Sequence, residues 1–220
     1  MNKKICLCLL ASVVCSASFS LTGIINSDNH IYHNPFYMGV TFAYGATTWG
    51  YLIADDQNAA MNLSTPTRVR ESGEEWGIVA GYEFLPTFGL EFSYDHYPRA
   101  KVTFDSMSIF TFEHDGLTSF YTDTESLSLS GKYMVLIPHN ENFRAFASAG
   151  VAYVHRTDII ADKFIWSPKF GVGGNFAMNE FMGIEFGLDY TAGNGVSEMN
   201  PAEDFIPFLY SVYTRLILRF

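Results

Sequence analysis

Beyond residue 15 the sequence contains no cysteine. Its three, Cys6, Cys8 and Cys15, all fall near the amino terminus. The rest of the chain has no thiol and no disulfide, so an exported protein of this kind is stabilised in some other way. Charge is scarce as well. Charged residues make up 16% of the chain, no more than the aromatics at 16%. That is poor in charge and rich in Phe and Tyr for a soluble protein. Positive charge is the scarcest, with 13 Lys and Arg against 23 Asp and Glu and a net charge of −10. Phosphate contact needs Lys and Arg, which speaks against nucleic acid as a partner. Apart from the amino terminus, no run approaches the roughly 18 apolar residues of a membrane-spanning helix.

The amino terminus has three parts. Met1-Asn-Lys-Lys4 is basic, Ile5 to Cys15 is apolar, and Ser16-Ala-Ser18 is small. These are the parts of a secretory signal peptide, expected over residues 1–20 with cleavage after Ser18 or Ser20. A lipid anchor on Cys15 is the alternative, but Val14 before it is bulky for that processing. Loss of Lys3 and Lys4 leaves 11 basic against 23 acidic residues, a net charge of −12. Residues 21–35 read as an irregular lead-in. His30 and His33 are spaced i, i+3 without a third ligand nearby, so exposed loop histidines are the simpler reading.

What is abundant is period-2 alternation. The last stretch, Tyr210 to Phe220, shows it most clearly. Tyr210, Val212, Thr214, Leu216, Leu218 and Phe220 share one face; Ser211, Tyr213, Arg215, Ile217 and Arg219 share the other. A strand places alternate side chains on opposite faces. The same alternation predicts seven earlier strands, near residues 36–45, 75–84, 88–95, 125–136, 143–155, 166–177 and 182–190. Each is about ten residues long, the length a tilted strand needs to cross a bilayer. In the fifth strand, small residues leave the facing ambiguous; Arg144, Phe146, Ser148 and Gly150 are placed inside. Short turns follow strands two, four and six, and longer connections follow the others. Residues 47–74 read as one long loop. Within it, the adjacent Asp55 and Asp56 are read as solvated carboxylates rather than a cation site.

The aromatics gather at the strand ends. Phe36, Phe84, Phe88, Phe143, Phe176, Phe181 and Phe220 mark one end. Tyr44, Trp49, Trp76, Tyr94, Tyr97, Tyr153, Trp166, Tyr190 and Tyr210 mark the other. Two such girdles are expected at the two interfaces of a membrane barrel. The fold class expected is all-β, a transmembrane antiparallel up-and-down barrel of eight strands over residues 36–220.

On these residues the chain resembles the small eight-stranded outer-membrane barrels of the OmpA/OmpX type, also called opacity-type surface antigens. The repeated Gly89-Leu-Glu-Phe and Gly183-Ile-Glu-Phe upstrokes, the Gly-rich sixth strand and the terminal Arg219-Phe220 carry the resemblance. It implies a monomer in the Gram-negative outer membrane, both termini periplasmic and outer-membrane lipid around the wall. It also implies a last strand (Tyr210, Val212, Leu216, Leu218, Phe220) that the barrel assembly machinery reads. No cofactor or metal is implied.

With the apolar faces on lipid, the interior is expected to hold Glu83, Glu91, Asp95, Glu185 and Asp189 with Lys132, Arg144, Lys169, Arg215 and Arg219. An eight-stranded bore is just wide enough for side chains to fill, so such charges must pair. A structural ion-pair core is the plain reading; a narrow ion or small-solute path is the sharper one. A lipid-A-modifying enzyme would need a His and a Ser at the lipid surface. No close His-x-Ser pair is present, although His96, His114 and His155 and the many serines leave a dispersed triad open. The expectation is a protein that is not an enzyme.

The region from Pro98 to Thr122 is the remaining feature. Val102 to Phe104 and Ile109 to Phe112 are strand-formers and Glu113-His-Asp-Gly116 is a turn signal, so the region reads as a hairpin continuing strands three and four beyond the membrane. Standing above the membrane with exposed edges, Val102, Phe104, Ile109, Phe110, Phe112 and His114 form a candidate surface for a host or neighbouring surface protein.

Overall fold

The computed structural model describes residues 34–53, 65–137, 140–194 and 205–220. Residues 1–20, expected to be a signal peptide, as well as His30 and His33 and Asp55-Asp56, lie outside the described residues. In chain order the elements are β1 (Phe36–Thr47), β2 (Arg68–Arg70), β3 (Ser72–Leu85), β4 (Phe88–His96), β5 (Ala100–Thr103), α1 (Ile109–Glu113), β6 (Ser119–Ile137), β7 (Asn140–Thr157), β8 (Asp162–Ala177), β9 (Met182–Thr191) and β10 (Leu209–Arg219). One 3-10 turn, Trp49–Leu52, follows β1.

Eight of the strands close into an antiparallel barrel in the order β1-β3-β4-β6-β7-β8-β9-β10. The last strand seals it against the first, from Tyr37 opposite Arg219 to Thr47 opposite Leu209. The barrel is inside out, as the alternation predicts. On β10, Tyr210, Val212, Leu216, Leu218 and Phe220 face outward, while Ser211, Tyr213, Arg215, Ile217 and Arg219 are buried. Strand β7 settles its ambiguous facing in the expected sense. Arg144 and Phe146 are buried, and Ala147, Ala149 and Val151 face out. Register forces this, because a one-residue slip would turn Arg144 to the outside.

Close packing of the wall uses missing side chains. A Cβ at Gly81 would stand 2.2 Å from the Tyr37 ring. Only glycine leaves room for that ring to lie across the bore.

Several strands outrun the sequence expectation. β6 has 19 residues and β7 has 18, where about 9–11 cross a bilayer. Their surplus stands beyond the girdle at the end opposite Phe36 and Phe220, called here the upper end. The presumed loop 47–74 is also partly structured, since it contributes the 3-10 turn, β2 and the start of β3.

The region after Pro98 differs from the predicted hairpin. β5 pairs with the upper part of β6, Ala100 opposite Thr122 to Thr103 opposite Ser119. Ile109 to Phe112 is helical, not a strand. Local capping overrides its β-forming side chains. Ser108 Oγ accepts from the Thr111 amide at 3.2 Å, and Asp105 accepts from the Met107 amide at 2.8 Å. Asp115 (φ 51°) and Gly116 (φ 85°) then reverse the chain into β6. One edge of β5 is not free, because β2 pairs along it.

Two residues assigned to the upper girdle are elsewhere. Trp49 and Tyr97 are buried above the bore. The other girdle aromatics keep their outward places.

Candidate functional site

The interior and the upper end are the two candidate sites. All ten expected interior charges are buried in the bore, five acids against five bases, in three tiers. In the lowest, Arg144 donates to Glu83 at 3.0 and 2.7 Å, and Arg219 donates to the same carboxylate at 2.7 Å. In the middle, Arg215 lies 2.8 Å from Glu91 and 3.0 Å from Glu185. Lys132 joins the same two acids, 3.0 Å from Glu91 and in close contact with Glu185. Tyr37 donates to Glu91 at 2.8 Å. In the upper tier, Lys169 lies 2.8 Å from Asp95 and 3.3 Å from Asp189.

These pairs cross the bore. Lys132 on β6 meets Glu185 on β9, Lys169 on β8 meets Asp95 on β4, and Arg144 on β7 meets Glu83 on β3. Each pair is three strands apart on a ring of eight. Buried charges need such partners, because an isolated one costs several kcal/mol to take out of water. The arrangement works as a polar core that ties opposite walls together.

Two further interior charges escaped the sequence reading. Glu75 is 4% exposed and Arg156 is fully buried. Both keep the inward parity of their strands, Glu75 with Glu83 and Arg156 with Arg144. The alternation of the expected strand 75–84 already places Glu75 inward, and carrying the fifth strand one residue past 155 would have found Arg156.

Above the bore the chemistry changes. Trp49, Ala100, Val102, Phe104, Phe110, Phe120 and Phe205 form an apolar core, with Val69 and Ile160 against it. Tyr97, Ala152, Val154, Ile206 and Leu209 form a second cluster. Arg156 binds this cap together. It donates to Asp158 at 2.6 Å and to the Phe205 carbonyl at 2.6 Å, and its guanidinium stands 4.5 Å over the Trp49 ring. Such a cation over an indole face adds attraction beyond packing.

The six residues of the expected binding hairpin are therefore divided. Val102, Phe104 and Phe110 are buried core, and His114 stacks on Phe110 at 4.3 Å between ring centres. They are not a docking surface, because their apolar faces are spent closing the cap. Ile109 and Phe112 are exposed, Phe112 at 90%, and Met107 joins them at 79%.

On the barrel's outer side at the upper girdle lies a recess of about 480 Å³, lined by His96, Arg99, Asp123, Glu125, His155 and Thr157. Here the dispersed triad can be tested. His155 Nε2 lies 2.7 Å from Asp162 and 2.8 Å from Thr157 Oγ1. A relay needs the acid and the nucleophile on different ring nitrogens; here both meet the same one. His114 is in the cap, away from these groups.

With this geometry in hand, comparison with known proteins places the fold. Residues 32–165 match the sequence profile of the OmpA-like transmembrane domain. A search of curated proteins by sequence finds no match. Among solved structures, Neisserial surface protein A is similar, with a TM-score of 0.51 at 13% identity over 84% of this chain and 97% of that one. The outer membrane protein OprG of Pseudomonas aeruginosa is similar too, with a TM-score of 0.51 at 11% identity over 86% of this chain and 99% of that one. At these identities the likeness is one of fold. The profile covers more than half of the sequence, and the closed eight-stranded, inside-out wall agrees with it: the chain belongs to the OmpA-like transmembrane domain family of outer-membrane β-barrels.

Proposed function

We propose that this barrel sits with both chain ends in the periplasm and its cap outside the cell, and acts there as an adhesion-type surface-interaction protein. In this reading β10, with Tyr210, Val212, Leu216, Leu218 and Phe220 outward, is the strand the assembly machinery engages. The observation that carries the interaction role is Phe112. It is 90% exposed on a helix whose other face, Phe110, is anchored in the cap core. A rigidly held aromatic in water adds nothing to folding and gains free energy when a partner covers it. Ile109 and Met107 extend the same apolar patch. The partner this fits is a host or neighbouring surface protein with an apolar pocket. An ion path is the weaker reading, since the cross-bore pairs would have to part.

Adhesion of intact cells to host surfaces tests the proposal, comparing wild type with an Ile109→Ser, Phe112→Ser double variant at matched surface level. Both side chains are exposed, so the fold is kept, and unheated gel mobility checks it. Binding is expected to fall at least tenfold; undiminished binding would sink the reading. Deleting the whole 101–121 segment is a poorer test, because it removes Val102, Phe104, Phe110 and Phe120 from the cap core.

A further inference from the structure

The few basic residues are not evenly spread. Of thirteen Lys and Arg, two stand in the first four residues, and Lys132, Arg144, Arg156, Lys169, Arg215 and Arg219 are buried. Five remain. Four of these, Arg68, Arg70, Arg99 and Lys101, gather at the small sheet β2-β5-β6 of the upper end. Register places the side chains. Arg70 lies opposite Lys101, which lies opposite Tyr121; Arg68 lies opposite Thr103, which lies opposite Ser119. Residues paired in this way share a face. The alternate residues Val69, Val102 and Phe120 go into the cap core, so the basic row faces water. Lys101 stands 5.6 Å and Arg99 5.9 Å from the Tyr121 ring centre.

Arg99 is engaged, donating to Asp123 at 2.7 and 2.9 Å. Arg68, Arg70 and Lys101 have no carboxylate within ion-pair distance among the described residues. Protection of an open sheet edge explains charge on β2, the edge strand. It does not explain Lys101, which is on the middle strand. In so acidic a chain, grouping like charges on one face costs repulsion unless something of opposite sign meets them.

We infer that this face binds an extended polyanionic saccharide, a chain bearing closely repeated sulfate or phosphate groups, on an apposed surface. Height decides against phospholipid headgroups. Tyr121 is six residues up β6 from Leu127, which is level with the belt of Tyr94, Tyr153 and Trp166. At about 3.3 Å per residue and a tilt near 45°, the face stands roughly 14 Å above that belt. A headgroup layer is only about 5–7 Å thick on each side. Chemistry decides against an acidic protein. The row offers guanidinium forks, an ammonium, the hydroxyls of Thr103 and Ser119 and a single aromatic ring, Tyr121, beside Lys101 and Arg99, with no apolar pocket to anchor a protein hot spot. Guanidinium forks match paired sulfate or phosphate oxygens. The backbone positions that carry these cations are about 5 Å apart across strands and about 7 Å apart along β2, a close array suited to a chain lying across it.

The inference rests on the proposed outward cap, but not on Phe112. The test uses the purified, folded protein in detergent with dextran sulfate as probe. Retention is expected at low salt and is expected to weaken steeply as salt screens it. An Arg68→Ser, Arg70→Ser, Lys101→Ser variant, with unchanged gel mobility, is expected to bind at least tenfold more weakly. Lys163→Ser is expected to bind as wild type does, and unsulfated dextran not at all. Equal retention of the triple variant overturns the site. Equally tight binding of poly-glutamate overturns the saccharide, and binding to lipopolysaccharide-containing vesicles lost in the same variant overturns the apposed surface. Because the protein is purified, these outcomes are independent of whether Phe112 supports adhesion in cells.

Discussion

Along β6 the inward side chains are Ser126, Ser128, Ser130 and Lys132 in the bore but Phe120 in the cap. The outward ones are Leu127, Leu129 and Val135 around the bore but Tyr121 and Asp123 beside the cap. β7 follows suit, with Arg144 inward below and Ala152 and Val154 inward above. One strand thus carries two opposite patterns. The wall next to lipid must be apolar outside, which leaves polar groups to pair within. Above the girdle water replaces lipid, and the ordinary arrangement returns, with apolar groups inside and, apart from the buried Arg156–Asp158 pair, charge outside. The cap is packed like a small soluble domain on top of an inverted one.

Three substitutions bear on that contrast. The largest effect is expected from Arg215→Met in the bore. It leaves Glu91 and Glu185 short of a partner in a buried site, a loss of about 3–5 kcal/mol. Urea unfolding in lipid, followed by unheated gel mobility, measures it. A loss below about 1 kcal/mol would show that the cross-bore pairs do not hold the wall. Trp49→Ala, in the cap, removes a buried indole, which costs about 3–5 kcal/mol where a core cannot collapse. Here the cost should stay local. Proteolysis of the upper connections should rise while the barrel keeps its urea midpoint. Joint unfolding would make bore and cap one cooperative unit.

The smallest effect concerns Glu71, whose carboxylate accepts from the Gly50 amide at 2.6 Å beside Trp49. Burial raises its pKa above 4.5, against the pull of the Gly50 and Trp49 amides. The folded cap then holds the proton more tightly than the unfolded chain. Its contribution is complete below about 4.5 and fades as pH rises through the folded value. Protection factors around Trp49, with the intrinsic pH dependence of amide exchange divided out, should therefore be higher in mild acid than at neutral pH, and Glu71→Gln should flatten that difference. An unchanged pH profile in the variant would remove Glu71 from the account.

The barrel was legible because lipid imposes a strict rule. Each crossing strand alternates, and alternation alone assigned Glu83, Glu91, Asp95, Lys132, Lys169, Glu185, Asp189, Arg215 and Arg219 to the inside; Arg144, on the ambiguous fifth strand, was placed there as a choice. It could not say that Glu83 serves both Arg144 and Arg219, since partners three strands away meet only when the ring closes. The cap was misread because water on its outside relaxes the rule. Ile109 to Phe112 has the side chains of a strand, yet the caps at Asp105 and Ser108 make it a helix. Trp49 looked like a girdle residue, because nothing local shows that Phe205 and Phe120 come to cover it.

The sequence by itself determined the number of wall strands, the facing of the wall residues on all but the fifth of them and the charge balance of the interior, because those follow from a two-residue period against lipid. Only the tertiary structure decided which charges pair across the bore, which aromatics close the cap and which stay in water. Those contacts join residues distant in the chain, and closure of the ring, not any local propensity, brings them together.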